Sequence, residues 1–321
     1  MVTKPRVSAR TDLGFRLGTG LFAAIVVLIV AAIGIELTRE SMLSIRKFGL
    51  DFWRTQTWDP VAGQFGALPF IWGTLYSSIL ALVLATPVAL GIAVFISELC
   101  PARLRRPLVF LTELLAAIPS IVYGLWGIFV LVPAVRSFET WAPPALKQIP
   151  LFSGPPVGVG MLAAGLILAV MVVPFISSVA REVLKSVPIA QREGAYALGA
   201  TRYEATRAAL FFARTGIVGA IMLGFGRALG ETMAVTMVIG NTPRISASLF
   251  APQYTMAAVI ANEFTEADTA LYLDALVEIG LVLFIITLIV NMLSRLLIWS
   301  MAQRGRPSGV AARRASAEAA A

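Results

Sequence analysis

Within GFGRALGETMAVTMVIGN, residues 224–241, a guanidinium and a carboxylate, Arg227 and Glu231, stand four positions apart inside a run apolar enough to cross a membrane. Four residues is about one helical turn, so on a continuous helix the two share a face and can pair, although Arg before Glu is the weaker order. An arginine at the centre of a membrane helix costs about 2.5–3.5 kcal/mol on insertion scales, so Arg227 must face protein or a water-filled path. Three chemistries fit these residue types. The pair can lock its helix to a neighbour, and Gly219, Gly224, Gly226 and Gly230 suit close packing because they remove side-chain bulk. Arg227 can instead stand in an aqueous path, or Glu231 can carry a proton. Thr232, Thr236 and Asn241 on the same stretch, and Ser120 beside Pro119, add neutral donors. Hydroxyls in membrane helices also commonly bond to their own helix's carbonyls.

The surrounding composition requires a bilayer. The 321 residues are 58% hydrophobic and 14% charged, with a mean hydropathy of +0.83, which is far from the average soluble domain. Six runs of about 20 or more mostly apolar residues, the length that crosses roughly 30 Å of hydrocarbon as a helix, can be read. They lie near 14–36, 69–96, 107–132, 157–180, 215–240 and 275–299. Pro87, Pro119 and Pro174 fall inside them and predict kinks rather than breaks. The first run follows Lys4, Arg6, Arg10 and Arg16 but is longer than a signal-peptide core and lacks a clear small-x-small cleavage site, so it reads as a retained anchor.

Lys and Arg concentrate before the first run, at 103–106, at 181–214 and after Arg295, and are sparse in the alternate loops. Basic loops favour the cytoplasm, so both termini are expected inside. The expected division is a tail at 1–13, a six-span permease domain at 14–300 with an inner loop at about 181–214, and a tail at 301–321. The net charge of +8 then reflects topology, and no clustered basic face suggests nucleic acid. With no histidine and only Cys100, disulfides, zinc sites and a Cys-His nucleophile pair within the chain are excluded. None of Lys4, Lys47, Lys147 and Lys185 follows a glycine, so no P-loop holds ATP. The chain is expected to carry no cofactor and to catalyse no covalent reaction.

The inner stretch 181–216 is too polar to span lipid and too rich in Ala, Leu, Arg and Glu to be a slack linker. It reads as two helices, Ile189 to Leu198 and Tyr203 to Phe212, divided by Gly199, which can take a positive φ at little cost. Such a loop can lie as an amphipathic helix on lipid headgroups. However, EGAYALG at 193–199 resembles the EAA motif of ABC importer permeases, whose inner loop docks on an ATPase. The motif's later I-x-L-P is absent, with Ala209, Leu210, Phe211 and Phe212 in those places.

The segments LLAAIPSIVYGLWG (114–127), VVPFISSVAREVLKSVP (172–188), REGAYALGATRYEATR (192–207), SLFAPQYTMAAVIANEF (248–264) and GFGRALGETMAV narrow the likeness. Together they resemble the C-type permease subunit of Pst phosphate importers, the PstC family, over about 70–300. The resemblance implies an all-α integral membrane protein with six transmembrane helices and the type I ABC importer permease fold. It implies a second Pst-type permease subunit, two copies of a cytoplasmic ATPase and an extracytoplasmic phosphate-binding protein as partners. ATPase coupling would fall to Glu193, Gly194, Ala195 and Gly199. With phosphate as substrate, Arg227 offers two parallel hydrogen bonds to its oxygens, and Glu231 holds Arg227 until the anion arrives. An ABC permease for molybdate or sulfate, and a proton-coupled secondary transporter, remain as other readings.

Overall fold

A computed structural model describes residues 9–304 of the chain. The first eight residues, with Lys4 and Arg6, and everything from Gly305 onward lie outside the described residues. In chain order, α1 (Ala9–Glu40) and the short α2 (Met42–Phe48) precede α3 (Leu68–Val94), which ends in a wider π-helical turn, Phe95–Leu99. α4 (Ala102–Ala117) precedes α5 (Ser120–Trp126), which continues through a second π-helical turn, Gly127–Leu131, into α6 (Val132–Trp141). α7 (Pro144–Lys147), α8 (Met161–Lys185), α9 (Ile189–Ala197) and α10 (Arg202–Leu229) follow. The one-turn α11 (Met233–Thr236), α12 (Met256–Glu263) and α13 (Ala270–Arg304) complete the order. Among the described residues six helices are long and apolar enough to cross a membrane, and no β-strand forms.

The core is built on α8, whose most extensive packing is against α3. α3 turns Ala81, Ala85, Ala89 and Ala93 inward, all fully buried. Their four-residue spacing puts them on one face, and small side chains let the two backbones approach. On α10 the same device recurs with Ala209, Ala213 and Ala220 buried. A methyl placed at Gly224 would sit 2.5 Å from Ile176 Cγ1 on α8, so only glycine fits without displacing a neighbour. By contrast, a methyl at Gly226 meets nothing within 4 Å, and one at Gly230 meets only the Gly226 carbonyl at 4.0 Å. Of the four glycines expected to pack closely, Gly224 does so, a methyl at Gly219 would meet only Ile298 Cδ1 at an ordinary 3.7 Å, and Gly226 and Gly230 face open space among the described residues.

α1 is exposed along nearly its whole apolar length and touches α13 where Gly34 meets Phe284. A helix so apolar and so uncovered belongs against lipid or another chain. At the end of the bundle opposite the basic loops, residues 42–67 fold over α12 and the start of α13. Phe52, Phe65, Phe70, Tyr254 and Tyr272 make an aromatic core there. Glu263 ties it by accepting from Trp58 Nε1 at 2.8 Å and Tyr272 Oη at 2.6 Å.

Two expected spans differ from the sequence reading. Pro87 and Pro174 sit inside continuous helices, but Pro119 breaks the chain: Ile118 and Pro119 are extended (ψ 129° and 139°). The third crossing is Ser120–Trp141 rather than 107–132, and α4 is a separate helix. Disfavour of helical φ/ψ before a proline permits the break at Ile118 but does not require it, since Thr86 and Val173 stay helical before Pro87 and Pro174. The fifth crossing is Arg202–Leu229 rather than 215–240, so the helix expected at Tyr203 to Phe212 does not end there but continues into the membrane.

Candidate functional site

The helices that follow the two breaks pack on each other. α10 stops at Leu229, and α11 folds back against α5, close enough that a methyl at Gly124 would lie 3.2 Å from Ala234 Cα. From Gly240 to Thr255 the chain continues without regular structure, carrying positive φ at Gly240 and Asn241. Irregular backbone inside a membrane domain is tolerated where protein or a water-lined cavity covers it. Here Val238 and Ile239 are fully buried, and Met161 N–H and Leu162 N–H reach back to the carbonyls of Ala251 and Leu249. Across the other break, the Tyr123 hydroxyl donates to the Leu115 carbonyl at 2.8 Å, satisfying an acceptor freed at the end of α4.

Arg227 lies in the last turn of α10, where the unpaired carbonyls and the negative end of the helix dipole favour a cation. Its guanidinium carbon stands 5.9 Å from the Phe175 ring centroid, next to Pro174 of α8, and its side chain is exposed. Glu231 lies beyond the helix end and is half-buried. Among the described residues no ion pair joins them. The one-turn spacing expected to align them depended on a continuous helix, and the break at Gly230 removes it.

The neutral donors divide. Thr236 Oγ1 donates to the Thr232 carbonyl at 2.7 Å, so this hydroxyl serves its own helix. Thr232 Oγ1 reaches the Gly230 carbonyl only at 3.4 Å. Asn241 Nδ2 donates to the Thr236 carbonyl at 3.0 Å, leaving a buried Oδ1 without a partner. Ser120 opens α5 and is half-buried. α11, which carries Thr236 and begins just after Glu231 and Thr232, packs on α5, the helix that Ser120 opens.

The loop motif forms a second, separate site at the basic end. α9 holds Glu193, Gly194 and Ala195, and Gly199 takes φ +82° at the turn that follows. Glu193 and Gly194 are exposed and Ala195 is half-buried. Ile189, Tyr196 and Leu198 are 69%, 51% and 91% exposed, apolar side chains that nothing among the described residues covers. The turn is fixed from below by a capping box: Thr201 N–H donates to Glu204 Oε2 at 2.8 Å, and Glu204 N–H donates to Thr201 Oγ1 at 3.4 Å. The Thr-x-x-Glu signature was legible in the sequence and was missed.

Glu139 and Glu278 are ionisable groups inside spans, as Arg227 is, but unlike Arg227 they are buried. Glu139 Oε2 accepts from Gly158 N–H at 2.8 Å and so anchors the connection to α8. Arg181, 5% exposed near the end of α8, bridges to Glu113 of α4 at 3.3 Å and to Glu182 at 3.1 Å.

Residues 85–304 match the family model described as binding-protein-dependent transport system inner membrane component. The chain is 46% identical to the phosphate transport system permease protein PstC of Mesorhizobium japonicum over 89% of this chain and 90% of that protein. It is 48% identical to the protein of the same name from Haemophilus influenzae, over 90% and 93%. Among solved structures, a chain of the MetNI methionine ABC transporter in an inward-facing conformation superposes with a TM-score of 0.55. That match has 18% identity and covers 72% of this chain and 93% of the other, and at that identity it speaks for the fold alone.

Proposed function

The chain belongs to the PstC family of phosphate transport system permease proteins, and from that premise we propose that it forms half of the membrane pathway of an ATP-driven phosphate importer. A second Pst-type permease subunit supplies the other half, two copies of an ATPase subunit dock on the cytoplasmic side, and a phosphate-binding protein delivers the anion from outside. Both termini lie in the cytoplasm, because Lys and Arg concentrate in the segments that this orientation places inside. The exposed face of α9 meets the ATPase: Ile189, Tyr196 and Leu198 offer it apolar contact, beside Glu193 and Gly194, with the Gly199 turn setting their angle. ATP binding closes the ATPases, α9 moves with them, and the spans alternate access.

The observation that most supports an anion role is Arg227 itself, an exposed guanidinium at the end of a broken span, with no carboxylate paired to it among the described residues. A guanidinium binds phosphate through two parallel hydrogen bonds. Glu231, on the unwound segment just beyond, limits how tightly the anion is held, which release requires.

The test is uptake into proteoliposomes that contain all membrane and ATPase subunits, with the binding protein added outside. ATP-dependent accumulation of phosphate, not competed by equimolar sulfate or molybdate, is expected. Preference for another oxyanion would overturn the substrate, and uptake driven by a proton gradient without ATP would overturn the mechanism.

A further inference from the structure

Arg192 occupies an unusual position on α9. Its Nε and Nη2 donate to the two carboxylate oxygens of Glu98 at 3.1 and 2.7 Å. Its Nη2 and Nη1 also donate to the carbonyls of Leu184 and Val187, each at 2.9 Å. Those two carbonyls belong to the end of α8 and the link that follows it, where acceptors are otherwise orphaned and a cation is favoured. Glu98 sits in the π-helical turn that ends α3 and is itself held, since Ser97 Oγ donates to its Oε1 at 2.9 Å. One guanidinium therefore fastens three elements: α9, the end of α8 and the end of α3.

The joint is sheltered, with the Arg192 and Glu98 side chains only 19% and 13% exposed. A bidentate, charge-assisted pair removed from most of the solvent is stiffer than a surface ion pair, which is screened and mobile. It is also distinct in direction. The backbone joins α9 to α8 and α10, which any movement of α9 must reach, but no backbone connection joins α9 to α3. From this geometry we infer that the Glu98–Arg192 pair is the joint through which movement of α9 is passed to α3, so that α3 and α8 shift as one body when the ATPase moves. Glu98 is thereby a positioning residue for transport, acting through Arg192. The inference rests on the phosphate-importer reading above.

Glu98→Ala in the full reconstituted transporter tests it, because that change cuts the side-chain link from α9 to the end of α3, leaving the packing of α3 on α8 in place and Arg192 on the Leu184 and Val187 carbonyls. The expected result is a complex with the wild-type subunit ratio and ATP hydrolysis within about twofold of normal, but with phosphate carried per ATP lowered about tenfold or more, within the range of ordinary coupling energies. Glu98→Asp, which keeps the charge at shorter reach, recovers part of that ratio. An unchanged ratio in Glu98→Ala overturns the joint. Loss of the ATPase from the complex, or a parallel fall of hydrolysis and uptake at constant ratio, also overturns it, because Glu98 would then be a folding or docking contact. Absence of ATP-dependent phosphate uptake in the unaltered complex overturns the underlying function, and the joint with it.

Discussion

Arg227 closes the last turn of α10, whereas Glu231 lies past the helix end, and no ion pair connects them. A direct lock between the two is thus not what keeps them in the membrane domain. Arg227→Gln retains hydrogen bonding and comparable length but loses the charge and the two-pronged geometry. It is expected to assemble and to lose phosphate uptake. Arg227→Met combined with Glu231→Leu removes both charges at similar volume, a change that purely structural ion pairs often tolerate. Uptake assays on the co-purified complex check both, and near-normal uptake in the double variant would remove the anion role from both residues.

At Gly199 the constraint is the backbone alone, since φ is +82° and a methyl there would meet nothing within 4 Å. Gly199→Val strains that turn by about 1–3 kcal/mol and should lower both uptake and phosphate-stimulated ATP hydrolysis while the protein still inserts. Gly199→Asn, a residue that tolerates this region, should keep most of both activities. Equal activity in all three proteins would show that the turn does not transmit.

Gly224 and Gly226 lie two residues apart yet should respond oppositely. Gly224→Val forces α10 off Ile176 and Val172, an overpacking expected to cost about 1–3 kcal/mol. Gly226→Ala has open space before it and should leave the melting temperature of the detergent-solubilised chain unchanged. Thermal unfolding of the two variants side by side makes the comparison.

The bond from Tyr123 to the Leu115 carbonyl spans the break at Pro119. Tyr123→Phe removes that bond at a net cost of about 0.5–1.5 kcal/mol. Faster amide exchange at the α4–α5 junction, with the rest of the bundle unchanged, is the expected signature.

Orientation is open to direct labelling, because Gln148 and Gln191 are exposed and the native Cys100 is buried. A membrane-impermeant maleimide applied to intact cells should modify Gln148→Cys and not Gln191→Cys. Modification of the latter from outside would invert the topology and remove the ATPase from α9.

The bilayer, the count of six apolar helices and the glycine turn at 199 are legible along the chain, because each follows from local properties. Twenty apolar residues must be helical in hydrocarbon whatever surrounds them, and a turn glycine is legible from the helical stretches on either side. Motif likeness also carried the family, since Arg227, Glu231 and the EGAYALG loop lie within short contiguous strings. Where helices stop inside the membrane was decided by tertiary structure. The prolines at 87, 119 and 174 look alike in sequence, but only at 119 does the chain break, where Tyr123 takes up an exposed carbonyl. The apolar run past Gly230 reads as more helix, yet it unwinds because α5 and the 240–255 segment supply its packing and its backbone partners. The Glu98–Arg192 joint spans 94 positions and carries no motif. Ion pairs of that kind depend on which helix ends the fold brings together, and no local pattern in the chain encodes that meeting.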